Sequence, residues 1–292
     1  MRNIVKKTTL VSSLVLALSA NSMYAQSFEW ISSTEGNTWQ KSKAKLQTNA
    51  AQTPILDVSG SEEGTVFKAW GTCFNELGWD ALNMLPRKEQ ETILHKLFSP
   101  EGELRFTMGR FSMNANDYAR DWYSCDEVPG DFQLKYFNIN RDKTTLIPFI
   151  KAAQQYNPNM TFWMSPWSPP SWMKINHYYS VRSDRNQNQM SPLSDVALFE
   201  GSKEKNTKVF PQQLAVNDYF IQDPRYLQTY ANYFCKFIDA YKQQGIAISM
   251  VMFQNESWSY TNYPGCAWTP EGIIRFNVEY LAPELKNISL LP

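Results

Sequence analysis

The stretch 246–256 restricts the fold of this chain more than any other. Its first part is a near-continuous apolar run rich in Ile, Val and Met, too short for an ordinary helix. A strand covered on both faces reads this way, and parallel sheets are built from such strands. The run stops on three polar residues, Gln254, Asn255 and Glu256. In an eight-fold βα barrel, the C-terminal ends of the strands are where reacting groups gather. An ordinary polar strand exit is the plainer alternative, and the rest of the chain has to decide.

Upstream, strand-like and helix-like segments alternate. Strands are expected at 66–70, 104–110 and 161–165, and helices at 82–98, 143–156 and 225–244. The last helix places Tyr226, Tyr230, Tyr233, Phe234, Phe237, Ile238 and Tyr241 on one side, and Gly245 caps it. Thr269 and Pro270 open a further helix reaching about residue 281. A loop at 114–140 holds Asp117, Trp122 and Asp126, and a long polar segment covers 174–217. Such alternation implies a parallel sheet with right-handed crossovers. The expected fold is α/β, a (β/α)8 TIM-type barrel of which about the first four βα units are present. Residues 26–60 form an extended segment ahead of it, with a strand-like stretch at 55–58, and the barrel domain covers 61–292.

Residues 1–25 read as a signal peptide, with a basic start and an apolar stretch at 10–20 too short for a stable membrane span. Cleavage after Ala25 fits, with Ser22 as the alternative. The chain is therefore expected to be exported, to the periplasm or outside the cell. Its 28 basic and 28 acidic side chains leave no basic footprint for nucleic acid. Only two histidines occur, His95 and His177, and they offer neither a metal-site spacing nor a serine-nucleophile arrangement. No phosphate-cradling glycine loop is present, so no cofactor and no metal are expected. Cys125 and Cys266 both fall in loops after strands and form the one candidate disulfide, whereas Cys235 reads as a core thiol. Chemistry is left to carboxylates. A strand-end carboxylate beside an amide able to hold a sugar hydroxyl is half of a glycosidase site. Arg110, at a buried strand end, is expected to pair with a carboxylate.

Several ordered blocks then resemble glycoside hydrolase family 30, across about residues 66–285. They are Trp70-Gly71 with 81–85, Arg110 followed by Asp117, 131–134, the Ser/Pro/Trp-rich 165–174, 233–241, 254–256, and Tyr263-Pro264. The resemblance implies a retaining β-glycosidase acting on a β-linked glucoside or oligosaccharide. It makes Glu256 the general acid/base and puts Asn255 against the sugar 2-hydroxyl. Asp117 and Trp167 would hold the innermost sugar, Arg110 would steady the carboxylates, and Tyr263 would be an aromatic on the substrate side. A protonated Glu256 would need burial and a nearby second carboxylate. Three departures stand out: Ser257 where the family has proline, Thr72 and Cys73 where it has a Gly-Ala pair, and a longer 174–217 segment. The family's nucleophile ends strand seven, whereas this sequence stops after a fourth unit. The chain is therefore expected to be truncated and inactive, or alternatively a non-catalytic fragment or weak carbohydrate-binding protein.

Overall fold

A computed structural model describes residues 27–45, 64–196 and 217–288. The leader, the strand-like 55–58 and residues 197–216 of the 174–217 segment lie outside the described residues. The chain divides into two compact units, Met1–Val66 and Phe67–Pro292.

In the first unit, β1 (Ser27–Thr34) and β2 (Asn37–Lys45) pair antiparallel, with Thr34 opposite Asn37. The tight turn between them uses Gly36 at φ +80°, a conformation that costs glycine little.

In the second unit four parallel strands lie side by side in sequence order: β3 (Gly71–Phe74), β4 (Met108–Met113), β5 (Thr161–Pro166) and β6 (Ile248–Val251). Two strands begin later than their apolar patterns suggest. Val66, Phe67 and Trp70 are exposed and precede β3 instead of forming it. Pairing begins at Gly71, where a β-carbon would meet the Met108 carbonyl oxygen at 2.5 Å, so only glycine fits. Residues 104–106 close the preceding helix: Leu104 N donates to Lys96 O (2.9 Å) and Phe106 N to Leu97 O (2.8 Å), which moves the start of β4 to Met108.

The helix expected at 82–98 is two. α1 (Glu76–Asn83) starts early because the Asn75 side chain accepts from Gly78 N, and α2 (Arg87–Phe98) follows Pro86. A 3-10 turn at Asp142–Thr144 shortens the next helix to α3, Leu146–Tyr156. α4 (Pro224–Gln243) lies within a residue of its expected bounds. Asp223 caps it, Pro224 opens it and Gly245 follows at φ +71°. Thr269 caps α5 (Pro270–Arg275), which passes through a π turn (Phe276–Leu281) into α6 (Ala282–Asn287).

Side-chain alternation sorts the strands into two faces. Phe74, Phe111, Phe162 and Met164, all at most 1% exposed, point toward the helices, where Phe111 stacks on Tyr241 and Phe74 meets Phe149. The alternate residues Arg110 and Trp163 are only partly buried and Met250 is exposed. The expectation of strands covered on both faces is therefore corrected. Helices cover one face, and the other is the partly open inner wall of a barrel.

Candidate active site

At the C-terminal ends of β3–β6 lies a cavity of about 280 Å³. Arg110, Asp117, Trp167, Asn255, Glu256 and Tyr263 all line it, so every site residue expected from the sequence reaches one place. Past β6 the backbone keeps beside β5: Met252 N donates to Met164 O (2.9 Å) and Asn255 N to Pro166 O (2.8 Å). That course delivers Asn255 and Glu256 to the rim.

Gln254 is buried and locks the corner. Its Nε2 donates to Trp167 O (2.7 Å) and Asn255 O (2.8 Å), while Trp268 Nε1 donates to its Oε1 at 3.4 Å. Glu256 adopts φ +48°, the left-handed region that an L-residue enters at a cost of about 1–2 kcal/mol. Its Oε2 accepts from Tyr263 OH at 2.8 Å. The burial expected for Glu256 is not what the structure shows, since the residue is exposed. Burial, and then the hydrogen bond to Glu256, push the Tyr263 phenol upward.

Arg110 requires a second correction. Among the described residues no carboxylate lies within ion-pair distance of it. Nε and Nη2 donate to Ser165 Oγ (3.2 and 2.9 Å), and Nη2 donates to Asn255 Oδ1 at 2.6 Å. The guanidinium also lies over the rings of Trp163 and Trp167, 4.8 and 4.5 Å from their centroids. Stacking and neutral acceptors thus hold the cation in place of an ion pair. Burial lowers its pKa, and the fields of Cys73, Asp117 and Glu256 oppose that.

Asp117 sits at the mouth with its pKa raised by desolvation and then by the Glu256 charge. Asn116 Oδ1 accepts from Tyr118 N (2.8 Å), and Leu77 N donates to Tyr118 O (3.1 Å). Behind this loop Glu76, 2% exposed, accepts from Arg141 Nε and Nη2 (both 2.8 Å) and from Arg120 N (2.8 Å). Burial would push the Glu76 carboxyl up, but these donors hold it below its ordinary value. Glu76 therefore braces the loop and does not face the cavity.

Cys73, Asn75, Asn116 and Tyr118 also line the cavity and are not among the site residues expected from the sequence. Cys73 pairs in register with Arg110, so strand alternation could have found it. The expected Cys125–Cys266 bridge is absent, and all four cysteines are free thiols. Cys125 N donates to Asn114 Oδ1 and Tyr233 OH beneath β4, whereas Cys266 lies beside Lys174, with burial raising its thiol to about 12. Trp172 is buried, Trp122 packs on Tyr178 and Tyr179, and Trp258 is half exposed.

A parallel βα sheet with a carboxylate-bearing cavity at its strand C-termini defines part of a TIM-type barrel. Residues 67–188 match the glycosyl hydrolase family 30 TIM-barrel domain. That match takes in 122 of the 292 residues, and the chain is similar to members of that family. Lysosomal acid glucosylceramidase of Mus musculus is 27% identical over 267 residues, covering 88% of this chain and 45% of the relative. Endo-1,6-beta-D-glucanase neg1 of Aspergillus fumigatus is 26% identical over 243 residues, 82% of this chain and 45% of its own length. SrfJ from Salmonella typhimurium superposes with TM-score 0.64 at 20% identity, over 90% of this chain and 51% of that one. The endo-beta1,6-glucanase BT3312 gives 0.62 at 20% identity, over 89% and 49%. The chain thus spans less than half the length of the curated relatives it matches.

Proposed function

We propose that the cavity receives a β-linked glucosyl unit and that Glu256 is the acid/base of a retaining glycosidase. The observation that carries this is the convergence of Glu256, Asn255, Asp117, Arg110 and Trp167 on one cavity at the strand C-termini. Glu256 would protonate the leaving oxygen and later deprotonate water. Asn255, oriented by Arg110, would hold a sugar hydroxyl, as would Asp117 at the mouth, while Trp167 offers a ring to the sugar's C–H face. A retaining reaction needs a second carboxylate about 5–5.5 Å from the first. The resemblance assigns it to a seventh strand, which the four strands here do not include. Relatives named for glucosylceramide and for β-1,6-glucan share a β-glucosyl group, which is the chemistry we assign to the inner position.

A second reading, a carbohydrate-binding protein without turnover, is favoured by the exposure of Glu256. The test uses p-nitrophenyl β-glucoside with the whole chain. Release of nitrophenol that Glu256→Gln removes supports the enzyme. Binding without release, weakened at least tenfold by Asp117→Asn, supports the second reading. Absence of both overturns the sugar assignment. Export is also proposed, and the N-terminus of protein recovered outside the cytoplasm, starting at Met23 or Gln26, would test it.

A further inference from the structure

Lys174 is the most deeply buried charged side chain near the cavity, at 0% exposure, and no carboxylate pairs with it among the described residues. Its Nζ donates to three main-chain carbonyls, Tyr179 O (2.7 Å), Ser180 O (3.0 Å) and Gly265 O (2.7 Å), and reaches Ser168 Oγ at 3.4 Å. Those acceptors belong to three separate segments. Ser168 follows Trp167 at the exit of β5, and Asn114 Nδ2 holds its carbonyl at 3.1 Å. Gly265 stands two residues after Tyr263, in a segment bridged to Ser180 through Pro264. The segment at 179–180 joins them, with Gly265 N donating to Tyr179 O at 3.0 Å.

We propose that Lys174 is a positioning residue for the glycoside pocket: from behind the wall its ammonium fixes the separation of Tyr263, which donates to Glu256, and Trp167, which lines the same cavity. Buried polar groups must be satisfied, and three converging carbonyls need three protons. An ammonium supplies three and a neutral amine only two. A hydrophobic residue of equal length would fill the space yet leave the carbonyls unpaired, so the segments would drift apart. Desolvation lowers the Lys174 pKa to about 7, while Cys266 and Glu127, the titratable groups facing it, favour the charged form. The wall should therefore loosen as the pH rises through about 7.

The inference rests on the glycoside-pocket reading only for what the wall contacts. Its test observes the wall directly. The ten tryptophans are labelled with 5-fluorotryptophan, and the Trp167 resonance is assigned with Trp167→Phe. Lys174→Met, without donors, should shift the Trp167 resonance, and Lys174→Gln, with two, should shift it less. A pH titration of the unsubstituted protein from 5.5 to 8.5 should move the same resonance about a midpoint near 7, and Lys174→Met should abolish that movement. A Trp167 resonance that stays in place in both variants overturns the inference. If neither variant folds, an immobile resonance in the pH titration overturns it instead. Loss of p-nitrophenyl β-glucoside binding in the unsubstituted protein would sink the sugar reading while leaving the Lys174 result standing.

Discussion

Asp142 is fully buried and accepts hydroxyl protons from Tyr123 (2.6 Å) and Tyr241 (2.7 Å), and desolvation raises its pKa to about 6. A carboxyl whose folded pKa exceeds its unfolded value contributes stability that is full at low pH and lost as pH rises through the folded pKa. This group alone should therefore lower the unfolding free energy between pH ~4 and pH ~6, by on the order of 2–3 kcal/mol. Urea melts of the chain and of Asp142→Asn at pH 4.5 and 7 check this, since the substitution should flatten the dependence. Equal pH slopes would contradict it. Lys174 and Arg110 show a limit of reading residues singly. The sequence gives their identity, but their partners are main-chain carbonyls, a hydroxyl and an amide, and none of these leaves a spacing that marks it in advance.

Among the elements, α4 was legible because Asp223, Pro224 and Gly245 punctuate both ends, and its aromatic side follows the helical period. The starts of β3 and β4 were not. An alternating apolar pattern shows that a segment is extended, but pairing starts where the backbones can approach, and at Gly71 only contact with Met108 decides that. The same crowding makes Gly109 sensitive. A β-carbon there would lie 2.6 Å from Phe74 and 2.8 Å from Phe162, both packed rings in the core. Gly109→Ala should destabilise the fold by about 1–3 kcal/mol, read as a lower urea midpoint with unchanged slope. An unaltered midpoint would show that the aromatic layer can yield. The site's polar corner was legible in the order of Gln254, Asn255 and Glu256. Gln254's task of fixing Trp167 became visible only with β5 beside it.

Over the whole second unit, β3 and β6 are the two edges of the described sheet, and Met250 and Met252 beside the β6 edge are 48% and 46% exposed. Unpaired backbone groups flanked by apolar side chains promote association between chains. Light scattering should therefore rise with concentration, and Met250→Lys should reduce it. A monomer at every concentration would count against this. The barrel class was readable from the βα alternation, whereas the open inner face was not, because local patterns do not say how many strands share a wall.

Because Arg110 leans on a hydroxyl, an amide and two indoles, its charge offsets the cavity's acids only from a distance. One positive side chain, Arg110, then shares the same small space with two carboxyl groups, Glu256 and Asp117. Such a chamber discriminates by electrostatics before shape enters. A sugar mimic bearing a basic nitrogen should outcompete its neutral counterpart, and the advantage should fade in concentrated salt. Calorimetric titration of both compounds at two ionic strengths would show whether the vestibule selects cations.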